Sequence, residues 1–362
     1  MRVLLNSITV EGYKSIRKLE NFPLSNLNIL VGANGAGKSV FLEIFDLLQG
    51  LTVPRGLADL ANSIRPDCFF GGSKTTETIA IQTRFGDVGH RLELQASAGR
   101  PFVEEKALRF LSDGESEWNV LSSVRRQSLF ERANDRRNND SFQRVAESIG
   151  SWRSYSFHNA VAQKKTFGRR SFARLKTLDK RADYLASFLY YLKTERFESY
   201  REIVRAVRLA APFFDDFVLS SSPSDYVLFG WRQKGLSETL SPGRFSDGAF
   251  RFACLATALL QPELPAALVI DSPETGLHPA TFGLLAELIQ GAARQAQVVI
   301  ATQSAELLDA FKPEDVVAVN RKEGASTFER LVVSDLNVWL EDCTLGELWR
   351  RNVIVTTPTY EG

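Results

Sequence analysis

The chain has 362 residues, 44% hydrophobic and 24% charged, with a net charge of +1. These are globular averages, so composition excludes a disordered chain, and the length allows one large domain or two lobes with a sizeable core. No apolar run approaches the roughly 18 residues of a spanning helix, and Cys68, Cys254 and Cys343 are odd in number and lack CxxC spacing. The expectation is a soluble, cytoplasmic protein with reduced thiols, no zinc site and no membrane partner.

Val3 to Val10 and Leu27 to Val31 read as strands, and Ser39 to Leu48 carries Phe41, Ile44, Phe45 and Leu48 at helical spacing. Thr78 to Phe85 alternates around Ile79 and Ile81, and Arg91 to Gln95 follows a Gly-containing turn, which predicts a small antiparallel sheet. The Asn-rich run Ala133 to Asp140 reads as a loop, and Arg181 to Leu209 as helix. From Ser246 the order is helix, strand Ala267 to Ile270, helix, strand Val298 to Ala301, helix and strand Val316 to Val319. That order predicts a largely parallel sheet assembled from both chain ends. Three parts are expected: 1–120, 121–240 as an inserted, mainly helical basic lobe, and 241–362.

Charge is segregated along the chain. Ser123 to Asp183 holds 15 Lys or Arg against 6 Asp or Glu, a net +9, leaving about −8 elsewhere. Arg125-Arg126, Arg136-Arg137, Lys164-Lys165, Arg169-Arg170 and Lys180-Arg181 alternate there with Trp152, Tyr155, Phe157, Phe167 and Phe172. Either this is a footprint for the backbone of double-stranded DNA, or it is a solvated lobe balancing acidic neighbours.

The strongest local chemistry is Gly32-Ala-Asn-Gly-Ala-Gly37-Lys38-Ser39, a G-x-x-x-x-G-K-S run between a strand and a helix. Its glycines let successive N–H groups face phosphate oxygens, the helix presents its positive end, Lys38 reaches the terminal phosphates and Ser39 ligates Mg²⁺. ATP and Mg²⁺ are the expected cofactors, with Gly32, Asn34, Gly35, Gly37, Lys38, Ser39 and Val40 as nucleotide contacts. The apolar strand ending at Asp271 suits a Walker B carboxylate. Upstream, Phe245-Ser246-Asp247-Gly248 opens a helix that Ser246 can cap, with free N–H groups to meet a phosphate.

With these motifs in this order, the chain resembles the predicted-ATPase group of the RecF/SMC-like ABC family, the AAA_21 type. The resemblance spans nearly the full length, through ITVEGYKSIRKL, YREIVRAVRLAAPFFDDFVL, FSDGAFRF, DSPETGLHPATFGLLAELI and QVVIATQSAELLDAF. It implies an α/β ABC-type P-loop ATPase head, with a mixed sheet, an antiparallel β subdomain and an inserted helical lobe. It also implies a head-to-tail homodimer, in which Ser246 and Gly248 of one subunit cap the ATP held by Lys38 of the other. Relatives place Glu after the Walker B aspartate to position the attacking water, whereas this chain has Ser272. Hydrolysis is then expected to be slow unless Glu274 substitutes. Where many relatives have a switch histidine stands Gln303, whose amide can donate to the γ-phosphate without changing charge.

The resemblance fits DNA repair or phage defence, or an ATP-binding scaffold holding an effector protein. Gln82 lies at a Q-loop distance from Lys38 but also reads as an outward strand residue, and Tyr155 to Asn159 matches the family better there. His278 is either a coupling residue or a loop-packing one. Tyr13 and Lys14 precede the P-loop without an assigned role, and Phe213, Phe214 and Phe217 read as core.

Overall fold

A computed structural model describes residues 3–95, 102–110, 116–119, 140–157, 167–169, 177–221 and 226–354. In chain order, β1 (Ser7–Tyr13), β2 (Ile16–Pro23) and β3 (Leu27–Val31) precede α1 (Lys38–Gly50) and α2 (Gly56–Ser63). Strands β4 (Thr78–Phe85), β5 (Val88–Gln95), β6 (Phe102–Phe110) and β7 (Ser116–Asn119) follow, then α3 (Asp140–Ser151), β8 (Arg153–Tyr155) and β9 (Phe167–Arg169). Next come α4 (Leu185–Glu195), α5 (Phe197–Ala210), β10 (Phe214–Ser221), β11 (Tyr226–Gln233), β12 (Thr239–Leu240) and α6 (Asp247–Leu260). The chain continues through β13 (Ala267–Asp271), α7 (Phe282–Ala293), β14 (Gln297–Thr302) and α8 (Ala305–Leu308). It ends with β15 (Val316–Lys322), β16 (Ala325–Arg330), α9 (Val333–Leu340) and α10 (Leu345–Arg350). Two compact units result, one of residues 1–152 and 313–362, the other of residues 153–312.

In the first unit, β2, β1, β4, β5, β6 and β7 form an antiparallel sheet in that order. The expected meander is there, and β1 joins it by pairing Val10 with Ile81. Strand β1 starts at Ser7 rather than Val3, and β2, which the sequence reading missed, closes a hairpin with it. The five residues of β3 are all buried, the pattern of a strand covered on both faces. β3 runs parallel to β15, and β15 pairs antiparallel with β16, so both ends of the chain meet here. Helix α1 buries Phe41, Ile44, Phe45 and Leu48. Phe41 lies 5.3 Å from the Phe328 ring, and Phe45 lies 5.1 Å from Trp152.

In the second unit, β13 runs parallel to β14 and to the short β8. Helix α6 buries nine residues from Phe250 to Leu259, as a helix apolar on every side must. Strands β9, β10 and β12 pair antiparallel with β11. The segment read as mainly helical therefore ends in a sheet at Phe214–Gln233. The stretch Arg181 to Leu209, read as helical, holds two helices that meet at Arg196, whose backbone (φ −140°, ψ 54°) leaves the helical region. No glycine or proline marks that break. Cys254 on α6 is fully buried, while Cys68 and Cys343 are half-exposed and unpaired.

Candidate functional site

The P-loop bridges β3 and α1, and its glycines are required for distinct steric reasons. A Cβ on Gly32 would lie 2.2 Å from the Val319 carbonyl oxygen of β15, a backbone atom that cannot yield. At Gly37 a Cβ would lie 2.1 Å from Ser326 Oγ, and φ there is +115°. Behind Gly37, the Ser326 hydroxyl donates to Ser15 Oγ at 2.7 Å, and the Ser326 N–H donates to the Ser15 carbonyl. Gly35 forms the open tip, with φ +78° and nothing near its absent side chain, and its carbonyl accepts from Arg321 at 3.2 Å.

Helix α1 (Lys38–Gly50) has Gly37 as its N-cap, with no side-chain cap, and its N-terminal end presents the positive pole of the helix dipole, which favours an anion. The Lys38 side chain folds over the loop, donating to the carbonyls of Gly32 (2.7 Å) and Ala33 (2.9 Å). Its ammonium is thereby delivered to the cradle although the residue is only 5% exposed. Ser39 and Asn34 are exposed beside it, and Val40 is half-buried. The loop fits a triphosphate: a curled backbone, an uncapped helix start and a lysine turned inward. Tyr13 and Lys14 are bound to α1 through Glu43, by a phenol hydrogen bond and an ion pair. Burial and the Glu43 carboxylate push the Tyr13 phenol well above its ordinary pKa.

Within the second unit, Asp271 ends β13 half-buried after four buried residues. Ser272 follows in the left-handed region, φ +49°, which costs an L-residue about 1–2 kcal/mol. Its N–H donates to the Ala301 carbonyl, and its hydroxyl donates to Asp271 Oδ1 at 3.0 Å. Glu274 Oε1 accepts the Gln303 N–H at 2.8 Å. Glu274 Oε2 is buried and meets no hydrogen-bond partner among the described residues.

The signature helix α6 begins at Ser246, whose Oγ accepts the Ala249 N–H at 3.3 Å. That cap uses the oxygen as acceptor and leaves the hydroxyl proton to donate. Beneath it, Phe245 stacks on Trp231 (4.8 Å) and Phe214 (5.5 Å). Gly248 packs on the GLHP loop, where a Cβ would meet the Gly276 carbonyl at 2.7 Å.

The other candidates resolve individually. Gln82 lies within β4 and accepts from Arg91 of β5 at 3.4 Å, the bland alternative. His278 Nδ1 accepts the Ala280 N–H, so the histidine caps a turn. Phe214 and Phe217 are core residues, whereas Phe213 is 40% exposed. Tyr155 is buried, donating to the Leu178 carbonyl and accepting from Gln261, and burial raises its pKa to about 12. Trp152, Tyr155 and Phe157 are all buried, so these three rings are unavailable to stack on bases. Of the basic pairs, Arg125-Arg126, Arg136-Arg137, Lys164-Lys165 and the Arg169-Arg170 side chains lie outside what is described, as do the Phe167 side chain, Phe172, the Asn-rich run through Asn139 and His158-Asn159. Sequence reasoning missed Arg251, Arg321, Ser15 and Ser326, because each acts on a residue distant along the chain.

Fold and loop together define an ABC-type P-loop ATPase with the fold of SMC heads. An SMC head bound to the C-winged helix domain of ScpA superposes with a TM-score of 0.56 at 14% identity, covering 92% of this chain and 99% of that one. An SMC head from Pyrococcus furiosus, with an extended coiled coil and bound to the C-terminal domain of ScpA, gives 0.51 at 15% identity, covering 94% and 99%. The family model AAA_21, described as "AAA domain, putative AbiEii toxin, Type IV TA system", matches residues 27–309, and the chain belongs to that family. No curated protein matches. Among the described residues no helix is long and apolar enough to cross a membrane.

Proposed function

We propose that the protein is a nucleotide-gated dimerisation switch, in which two heads close on ATP and reopen on slow hydrolysis or exchange. The observation that carries it is the pair of uncapped or proton-donating helix starts: α1 behind Gly37, and α6 behind Ser246. Both favour an anion, and a triphosphate held by Gly32, Asn34, Gly35, Gly37, Lys38, Ser39 and Val40 of one subunit would accept Ser246 and Gly248 of the other. Ser39 and Asp271 would hold Mg²⁺, which when bound neutralises charge on the phosphate oxygens. Gln303 would donate an amide proton to the terminal phosphate.

Ser272 supports slow turnover, since its hydroxyl is neutral and committed to Asp271. The same residue favours a second reading, a non-hydrolysing ATP-binding scaffold that holds an effector, and the toxin–antitoxin wording of the family description is compatible with it. Phosphate release no faster than from Lys38→Ala protein would favour the scaffold. A role on duplex DNA in repair or defence rests on the +9 charge of residues 123–183 and on the resemblance to the RecF/SMC-like family. Sedimentation with and without ATP tests the switch. Wild-type protein should shift from monomer to dimer, Lys38→Ala protein should not, and a wild-type monomer indifferent to saturating ATP would defeat it.

A further inference from the structure

Arg251 on α6 donates from Nη1 to the Thr275 carbonyl at 3.0 Å. The same nitrogen would lie 2.2 Å from a Cβ on Gly276, where φ is +74°. The first turn of α6 presses on this loop as closely, with Gly248 against the Gly276 carbonyl. One residue before Thr275, Glu274 grips the Gln303 N–H at the end of β14. The start of the signature helix and the switch residue thus hold one short loop from two sides, with no room for a side chain at Gly248 and a left-handed backbone at Gly276.

The second oxygen of Glu274 is buried without a hydrogen-bond donor among the described residues. A carboxylate oxygen placed so costs stability. We infer that Glu274 is a positioning residue that locks the Gln303 end of β14 to the loop gripped by the N-terminal turn of α6, so that phosphate capture at Ser246 repositions Gln303 in the same protomer. This rests on the head-closure reading for its trigger, while the lock itself exists without nucleotide. Coupling of this kind needs a contiguous set of contacts that both sites bias. Arg251, Thr275, Gly276, Glu274 and Gln303 supply one within residues 246–303.

Hydrogen exchange on the full chain tests it. Without nucleotide, the Gln303 amide should exchange about tenfold faster in Glu274→Ala protein than in wild type, the loss expected for one hydrogen bond to a charged acceptor. Glu274→Gln keeps an acceptor oxygen and should stay near wild type, separating position from charge. With ATP, segment 303–308 should gain protection in wild type and in Glu274→Gln but not in Glu274→Ala, although Glu274→Ala protein still dimerises by sedimentation. Unchanged Gln303 exchange in Glu274→Ala, or Glu274→Gln behaving like Glu274→Ala, would overturn the inference. Failure of wild-type protein to dimerise would instead sink the head-closure reading, and the nucleotide-free comparison would still decide the lock.

Discussion

Ser272 combines a left-handed backbone with a hydroxyl whose proton is donated to Asp271, so it offers an attacking water no group able to take its proton. A glutamate at this position would restore a group able to take a proton. We expect Ser272→Glu to raise single-turnover hydrolysis by about 10²–10⁴-fold, the range of a positioned general base. No increase would show that more than the base is missing. At this scale Lys38, Asp271 and Ser246 were legible, because each has a fixed place beside a glycine, a strand end or a helix start. Arg251 and Arg321 were not, since their partners, the Thr275 and Gly35 carbonyls, carry no side-chain signal. Tyr13 and Lys14 look like turn residues until Glu43 of α1 is brought to them.

Elements with strong periodicity were read within a few residues: β4 at Thr78–Phe85, α1 at Lys38–Gly50 and β13 at Ala267–Asp271. The break between α4 and α5 escaped because Arg196 is an ordinary helix former and only tertiary packing bends the chain there. Strands β10 and β11 escaped because they fall within 121–240, the part read as mainly helical, and Phe214 and Phe217 of β10 were read only as core. Those aromatics prop the signature helix: Phe245, 1% exposed, packs against both Trp231 and Phe214 and directly precedes Ser246. Phe245→Ala should cost about 3–5 kcal/mol, read as a lowered unfolding midpoint in urea. A loss under about 1 kcal/mol would show that the cluster repacks without it.

Across the whole molecule, the P-loop belongs to the unit of residues 1–152 and 313–362, while signature, Walker B and switch segments belong to residues 153–312. The proposed sharing of each site between two chains makes a complementation prediction. Lys38→Ala and Ser246→Arg proteins should each fail to dimerise with ATP, yet an equal mixture should form heterodimers holding one complete site. A mixture as inert as its components in sedimentation would show that no site is built from two chains. The parallel arrangement of β3 with β15 was legible because both strands are apolar runs bounding helices. The division into two units was not, since nothing in composition marks Trp152 or Pro313.

Cys254 sits fully enclosed on α6, and enclosure pushes its thiol far above the usual range. A maleimide dye added to the native protein should therefore attach only at Cys68 or Cys343, both in the unit that carries the P-loop. Cys343→Ser would leave one handle. The Cys68 carbonyl accepts the Lys14 N–H, so a fluorophore there would ride on the turn that is tied to the nucleotide helix, ready to report loading without any engineered thiol.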